Sequence, residues 1–224
     1  MLPSAVPYAQ PFLGVLMLDT RFPRLPGDVG HPASFAMPVR HRVVAGATAW
    51  RVVREPDPYL AQPFIEAGRS LVAEGARALT TSCGFLVQLQ HVLQAALPVP
   101  VWSSSLLALP ALERPGVLTV DAAALGAAHF LAAGADPATP VEGLLPSGHL
   151  QRVLLEDRST LDPARAEAEV VACAQRLVQR HPEVRELVLE CTNMPPYADA
   201  VAAATGRPVH HLLTLVHEHW SLLA

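Results

Sequence analysis

Charged residues are scarce in this sequence of 224 residues, at 16% of the total, and no segment is rich in lysine or arginine. The formal net charge is -4. A weakly acidic chain without a basic cluster is poorly suited to non-specific binding of nucleic acid or of acidic membranes. We therefore expect neither nucleic acid nor a membrane as a partner.

Long apolar runs are also missing. Proline, glycine or a charged residue interrupts every apolar run before it reaches membrane-spanning length. The first residues, Met1-Leu-Pro-Ser-Ala-Val-Pro7, lack the basic region and the continuous apolar core of a secretory signal. The three cysteines are far apart, which favours free thiols in a reducing compartment over a disulfide framework. These features predict a cytoplasmic protein.

Short apolar runs alternate with longer helical patterns, which is typical of an α/β protein with parallel sheets. The predicted strands cover 14–19, 39–47, 79–83, 99–103, 116–121, 139–144, 186–190 and a segment near 209. The predicted helices cover 57–74, 85–96, a short segment from 103, an alanine-rich segment ending near 133, 163–180, 196–204 and the C-terminus. A loop at 22–38, rich in proline and glycine, is too long to be a simple connection.

The two halves of the chain resemble each other. The segment 14–19, Gly-Val-Leu-Met-Leu-Asp, is echoed by 116–121, Gly-Val-Leu-Thr-Val-Asp. The segment 76–83 is echoed by 184–191, and both end in cysteine. Two matched pairs in the same order predict a duplicated architecture. We expect a first lobe of residues 1–102 plus 209–224 and a second lobe of residues 103–208, each a mainly parallel sheet flanked by helices.

Cys83 and Cys191 both stand where a predicted strand ends and a helix begins. Ligands of open parallel sheets bind beyond the carboxyl ends of the strands, so two facing lobes would present one thiol from each side of a cleft. Backbone N–H groups at a helix start can stabilise a thiolate. The alternative is a buried structural cysteine, which is how we interpret Cys173 in the middle of its helix.

Three motifs resemble those of the aspartate/glutamate racemase superfamily. Cys191-Thr192-Asn193-Met-Pro follows the pattern Cys-Thr-x-x-Pro of the second cysteine in that family. Thr81-Ser82-Cys83-Gly84-Phe85 falls where the family carries its first cysteine, and Asp19-Thr20 is similar to its Asp-Ser pair. The resemblance extends over essentially the whole chain and implies a bacterial isomerase that needs neither a cofactor nor a metal.

The resemblance further implies a two-base reaction at a carbon next to a carboxylate. One cysteine, as thiolate, removes the α-proton, and the other, as thiol, protonates the opposite face. Backbone N–H groups at Gly84 and Thr192, with the hydroxyls of Ser82 and Thr192, are the expected donors to the substrate carboxylate.

The sequence departs from the family at two places. Gly84-Phe85 replaces the usual Asn-Thr after the first cysteine, and Asn193 stands where many relatives have histidine. A less polar pocket is therefore expected, which favours a substrate with a bulkier or more apolar side chain than that of glutamate or aspartate. Further candidates for substrate contact are Arg24, which could pair with a distal carboxylate, and Thr119.

The leading hypothesis is a racemase or epimerase of an amino acid or a related carboxylic acid, with a homodimer considered as the assembly. A second hypothesis is another enzyme on the same scaffold, such as an arylmalonate decarboxylase, a hydantoin racemase or a maleate cis–trans isomerase. A third is a two-lobed binding protein without reactive thiols. A metal site is not expected among the histidines near the C-terminus. His217 and His219 are two residues apart and so do not share one helix face, and no Cys or Asp cluster with the spacing of metal ligands accompanies them.

Overall fold

The computed structural model describes residues 10–55, 57 and 59–223. The N-terminal residues that argued against a secretory signal lie outside this range. The strands are β1 Phe12–Leu18, β2 Val39–Val44, β3 Ala76–Thr81, β4 Val101–Trp102, β5 Pro115–Thr119, β6 Val141–Gly143, β7 Glu186–Leu189 and β8 Val209–His211. The α-helices are α1 Ala49–Arg54, α2 Ala61–Ala73, α3 Gln90–Ala96, α4 Ala127–Ala132, α5 His149–Leu155, α6 Pro163–Arg180, α7 Ala198–Thr205 and α8 Leu212–Ser221.

The strands form two four-stranded sheets of identical order, β2-β1-β3-β4 and β6-β5-β7-β8. Every pairing within them is parallel. The central strands β1 and β3, with their equivalents β5 and β7, are almost entirely buried, because helices cover both faces of a parallel sheet. The predicted two-lobed α/β fold is confirmed.

The two sheets share one large hydrophobic core. Leu16 and Leu79 of the first sheet belong to the same buried cluster as Leu118 and Val188 of the second. Cys173 is fully buried in that cluster, on α6, as its mid-helix position predicted. A common core holds the lobes against each other, and this fixes the cleft between the carboxyl ends of their strands.

The C-terminal segment divides between the lobes, which corrects the predicted boundary at 209. Strand β8 pairs with β7 and so belongs to the second sheet. Helix α8 then crosses back, and its residues Leu212 and Val216 pack with Leu13 and Trp102 of the first sheet. The boundary was misplaced because the strand and the helix are adjacent in sequence but face different sheets.

Three local predictions also need correction. Helix α1 lies in a region that was not predicted to be helical, although Thr48 caps it by accepting a hydrogen bond from the N–H of Arg51 at 3.2 Å. Helix α5 was not predicted either. The helix expected at 85–96 begins as a 3-10 helix, Gly84–Leu89, and becomes α-helical only at Gln90.

Candidate active site

Both cysteines of the predicted pair lie at one cavity between the lobes. Cys83 follows β3 in an extended conformation and precedes the 3-10 helix that starts at Gly84. Cys191 occupies the equivalent place after β7, separated from the strand by Glu190. Both cysteines line this cavity. The duplicated strand order thus delivers one thiol from each lobe to the same space.

The cavity wall is mainly apolar, with its polar groups gathered around the two thiols. Helix α1 contributes Ala49 and Val53, and helix α5 contributes Leu154 and Leu155. The remaining lining residues are Leu18, Phe22, Ser82, Gly84, Phe85, Val120, Glu190, Thr192 and Asn193. Seven of the predicted site residues therefore meet here, namely Ser82, Cys83, Gly84, Phe85, Cys191, Thr192 and Asn193.

Burial disfavours the thiolate at both sulfurs. It is the largest cause that raises the pKa of Cys83 to about 12, and the negative charge of Glu190 adds to it. The backbone N–H groups of Phe85 and Leu86, at the start of the 3-10 helix, act in the opposite direction. Burial and the charge of Glu190 likewise raise the pKa of Cys191 well above its usual value. Cys83 has two N–H groups that stabilise its thiolate.

Asn193 links the Cys191 thiol to the loop that follows β1. The Sγ of Cys191 donates a hydrogen bond to Oδ1 of Asn193 at 3.7 Å, and Nδ2 of Asn193 donates to Oδ2 of Asp28. Asp28 is 2% exposed and forms an ion pair with Arg24 at 2.8 Å. Cys191 is therefore held as a hydrogen-bond donor, which is the protonated form of the side chain.

The other predicted contact residues lie outside the cavity lining. Arg24 is engaged by Asp28 and by Oγ1 of Thr20, to which it donates at 2.9 Å. The carboxylate of Asp19 accepts a hydrogen bond from the N–H of Gly46 at 3.0 Å. Thr119 is fully buried, and its hydroxyl donates a hydrogen bond to Glu190 at 2.7 Å. In this conformation these side chains support the loops around the cavity.

Glu190 is a functional candidate that the sequence interpretation missed. Its side chain is fully buried and lines the cavity. Oε2 accepts a hydrogen bond from the hydroxyl of Thr119 at 2.7 Å, whereas Oε1 has no hydrogen-bond partner among the described residues. Burial raises the pKa of Glu190 to about 8, although the Thr119 hydrogen bond lowers it. The sequence feature that could have identified Glu190 is a charged residue at the end of an otherwise apolar strand.

Helix α1 covers the cavity from the first lobe. Arg54, at the end of α1, forms an ion pair with Asp121, which follows β5 in the second lobe. Since Ala49 and Val53 of the same helix line the cavity, this ion pair ties the cover of the site to the opposite lobe.

Comparison with known proteins identifies relatives of the whole chain. Dimethylsulfoniopropionate lyase 7 of Emiliania huxleyi is 32% identical over 222 residues, which cover 91% of this chain and 64% of that protein. The dimethylsulfoniopropionate lyase of Durusdinium sp. clade D is 31% identical over 212 residues, which cover 88% of this chain and 70% of that protein. This chain belongs to the dimethylsulfoniopropionate lyase family. No general family model matches it.

The fold is that of the aspartate/glutamate racemase superfamily. A mutant of arylmalonate decarboxylase superposes with a TM-score of 0.60 at 18% identity, covering 89% of this chain and 87% of that one. Allantoin racemase from Klebsiella pneumoniae superposes with a TM-score of 0.58 at 16% identity, covering 94% of this chain and 88% of that one. At these identities the likeness shows the fold alone, and the fold that the resemblance implied is confirmed.

The lyase relatives are eukaryotic proteins, and the chain spans less than two thirds of the length of the Emiliania protein. Relatives and fold together support an enzyme. Among the described residues, no helix combines the length and the apolar character needed to cross a membrane.

Proposed function

We propose that this protein is a lyase that cleaves dimethylsulfoniopropionate, or a closely related sulfonium acid, by β-elimination. The observation that carries the proposal is the mainly apolar cavity with a cysteine from each lobe, in a chain about one third identical to dimethylsulfoniopropionate lyases. The substrate named there has a carboxylate at one end and a dimethylsulfonio group on the carbon β to it.

The reaction begins with removal of a proton from the carbon next to the carboxylate. The Cα–H bond breaks and its proton passes to a thiolate. The electron pair forms a Cα–Cβ double bond, and the Cβ–S bond breaks with its electrons leaving on sulfur. The products are neutral dimethyl sulfide and acrylate, so charge and atoms balance without a cofactor.

We assign the role of base to Cys83. Two N–H groups, those of Phe85 and Leu86, stabilise its thiolate. Cys191 has one such group, the N–H of Asn193, and its thiol already donates to the Asn193 side chain. A sulfonium cation inside the cavity would favour the thiolate further, because an opposite charge nearby stabilises the charged form. The expected donors to the substrate carboxylate are the backbone N–H groups of Gly84 and Thr192 and the Ser82 hydroxyl.

The apolar wall fits the other end of such a substrate. Phe22 and Phe85 present aromatic surface to the cavity, and a sulfonium cation is attracted to the face of an aromatic ring. Phe85 stands at the position where the amino-acid racemases of the superfamily usually have a polar residue. An amino acid would need a partner for its α-ammonium group, and the wall supplies few polar groups besides those at the thiols.

Racemisation is the second candidate, and the equivalent placement of the two thiols favours it. Removal of the α-proton by one thiol and return of a proton by the other inverts the carbon. Elimination and racemisation share their first step, and the group on the β-carbon decides between them. Decarboxylation and cis–trans isomerisation of small acids remain alternatives on this scaffold.

The test is release of dimethyl sulfide and acrylate from dimethylsulfoniopropionate by the purified protein. The proposal predicts the two products in equal amounts, and a loss of at least about 100-fold on Cys83→Ala, the lower end of what a general base contributes. Cys173→Ala is the matched control, because that thiol is buried in the core and should leave activity near the parent value.

Two results would overturn the proposal. One is the absence of both products with a well-folded protein. The other is full activity of the Cys83→Ala variant. Exchange of the α-proton of amino acids with deuterium oxide, without any cleavage of the sulfonium acid, would instead support the racemase.

A further inference from the structure

Glu190 breaks the pseudo-symmetry of the two lobes at the point nearest the thiols. Ser82 directly precedes Cys83 after β3, and Glu190 directly precedes Cys191 after β7. Ser82 accepts a hydrogen bond from the N–H of Leu18 at 2.8 Å and is neutral at every pH of interest. The second lobe therefore has an ionisable carboxyl where the first has a hydroxyl.

The carboxyl of Glu190 lies between the two cysteine-bearing segments. It precedes Cys191 in the chain and reaches across to the first lobe, where it packs on Gly84, the residue after Cys83. A methyl group at Gly84 would collide with both the carbonyl oxygen and Oε1 of Glu190, so only glycine permits this approach. The close packing leaves Oε1 inaccessible to solvent and without a hydrogen-bond partner among the described residues.

An ionised carboxylate in this position would be unfavourable. A buried charge needs compensation by partners, and Glu190 has only the hydroxyl of Thr119, at 2.7 Å. The charged and titratable groups around the thiols and Glu190 come from the loop after β1, the ends of β3 and β7, and the 3-10 turn that follows β7. They are Arg24, Asp28, Cys83, Cys191 and Tyr197. Arg24 is already neutralised by Asp28, so it offers Glu190 no free positive charge.

We infer that Glu190 is a positioning residue that controls the ionisation of the two thiols: an ionised carboxyl at this position disfavours the thiolate at either cysteine. Three acidic groups in one enclosed space repel each other's charges. A neutral Glu190 therefore permits a thiolate more readily. An ionised Glu190 reduces the thiolate fraction, and with it the base available for the proposed elimination.

The direction of the pKa shifts supports this coupling. The charge of Glu190 raises the pKa of both Cys83 and Cys191, and the pKa of Glu190 itself, about 8, lies below that of Cys83, about 12. Glu190 is therefore the first of the three to ionise as the pH rises. The inference rests on the proposed function for its catalytic meaning, but the ionisation of the thiols can be measured without any substrate.

The experiment is the rate of alkylation of Cys83 and Cys191 by iodoacetamide as a function of pH, followed by mass spectrometry of peptides. Glu190→Gln replaces the carboxyl by a neutral group of the same shape. Between pH 8 and 10 it should react about tenfold faster than the parent protein, equivalent to about one pKa unit at the thiols. Glu66→Gln, the same change on the exposed face of α2, is the matched control and should alter nothing.

Thr119→Val provides an independent variant. It removes the hydrogen bond that favours the ionised form of Glu190, so the carboxyl should stay neutral to higher pH and alkylation near pH 8 should become faster. Thermal unfolding of each variant is the control that tests whether the fold is retained.

Equal alkylation of parent protein and Glu190→Gln at all pH values would overturn the inference. So would slower alkylation of Glu190→Gln at all pH values, because that result would make Glu190 the base that deprotonates the thiols. A failure to cleave dimethylsulfoniopropionate would leave the alkylation result unaffected, so the two proposals fail separately.

Discussion

The hydroxyl of Thr192 donates a hydrogen bond to the backbone carbonyl of Ser82 at 2.7 Å. Each of these residues is the immediate neighbour of a cysteine, so this bond joins the two cysteine-bearing segments across the cleft. The N–H of Val29 donates to the carbonyl of Thr192 at 3.3 Å and brings the loop after β1 into the same junction. The separation of the thiols is thus set by hydrogen bonds as well as by the shared core.

Thr192→Val should loosen this junction. The variant keeps the shape of the side chain but leaves the buried carbonyl of Ser82 unsatisfied, and the expected loss of unfolding free energy is about 1–3 kcal/mol. Urea denaturation gives the value. Thr205→Val is the control, because the Thr205 hydroxyl makes only local bonds, to the carbonyl of Val201 in its own helix and from the N–H of Arg207 just after it, and the change should cost less. Equal losses of unfolding free energy for the two variants would show that the hydrogen bond between the lobes contributes no more to stability than a local one.

Phe85→Leu should weaken binding of a sulfonium substrate. The ring lines the cavity and meets His129 edge-on with centroids 5.0 Å apart, so its orientation is fixed. Leucine retains apolar surface but has no aromatic face. If the ring contributes about 1–2 kcal/mol to cation binding, KM should rise about fivefold to thirtyfold. The same variant should bind an uncharged analogue, in which carbon replaces the sulfonium sulfur, as tightly as the parent protein does. Equal losses of affinity for the two ligands would contradict the role of the ring.

The buried carboxyl of Glu190 should also make stability depend on pH. Its pKa is raised from 4.5 to about 8 in the folded protein, so the folded state retains a proton that the unfolded chain has released. The contribution of this carboxyl to the free energy of unfolding is fully present below pH 4.5. It is lost as the pH rises toward 8, at up to about 1.4 kcal/mol per pH unit. Glu190→Gln should remove this loss, so its stability relative to the parent should increase from pH 5 to pH 8. Urea denaturation at each pH measures the difference, and a constant difference would show that the carboxyl does not titrate in this range.

Much of the site could be predicted because it depends on local patterns. Cys83 and Cys191 each follow an apolar strand, and in a parallel sheet that position alone places them at the ligand-binding edge. Glu190 was missed because its importance comes from its surroundings. A glutamate at a strand end is usually solvated, and only the close packing of Gly84 from the other lobe buries it.

Arg24 illustrates the opposite case. The sequence suggested a free guanidinium for a substrate carboxylate, but the loop folds back so that Asp28, four residues later, pairs with it. The turn that brings the two together is not visible in the residue pattern. The division of 209–224 between the lobes was unpredictable for a similar reason, since strand pairing is decided by tertiary contacts.

The most direct test of the account is deuterium exchange at the carbon next to the carboxylate, measured by proton NMR in deuterium oxide. A suitable ligand is 3-(trimethylammonio)propionate, which has the same charges as the sulfonium acid but a poorer leaving group. The parent protein should exchange the α-protons of this acid, and Cys83→Ala should not. Undiminished exchange by Cys83→Ala would contradict removal of the α-proton by the thiol of Cys83 in this cavity.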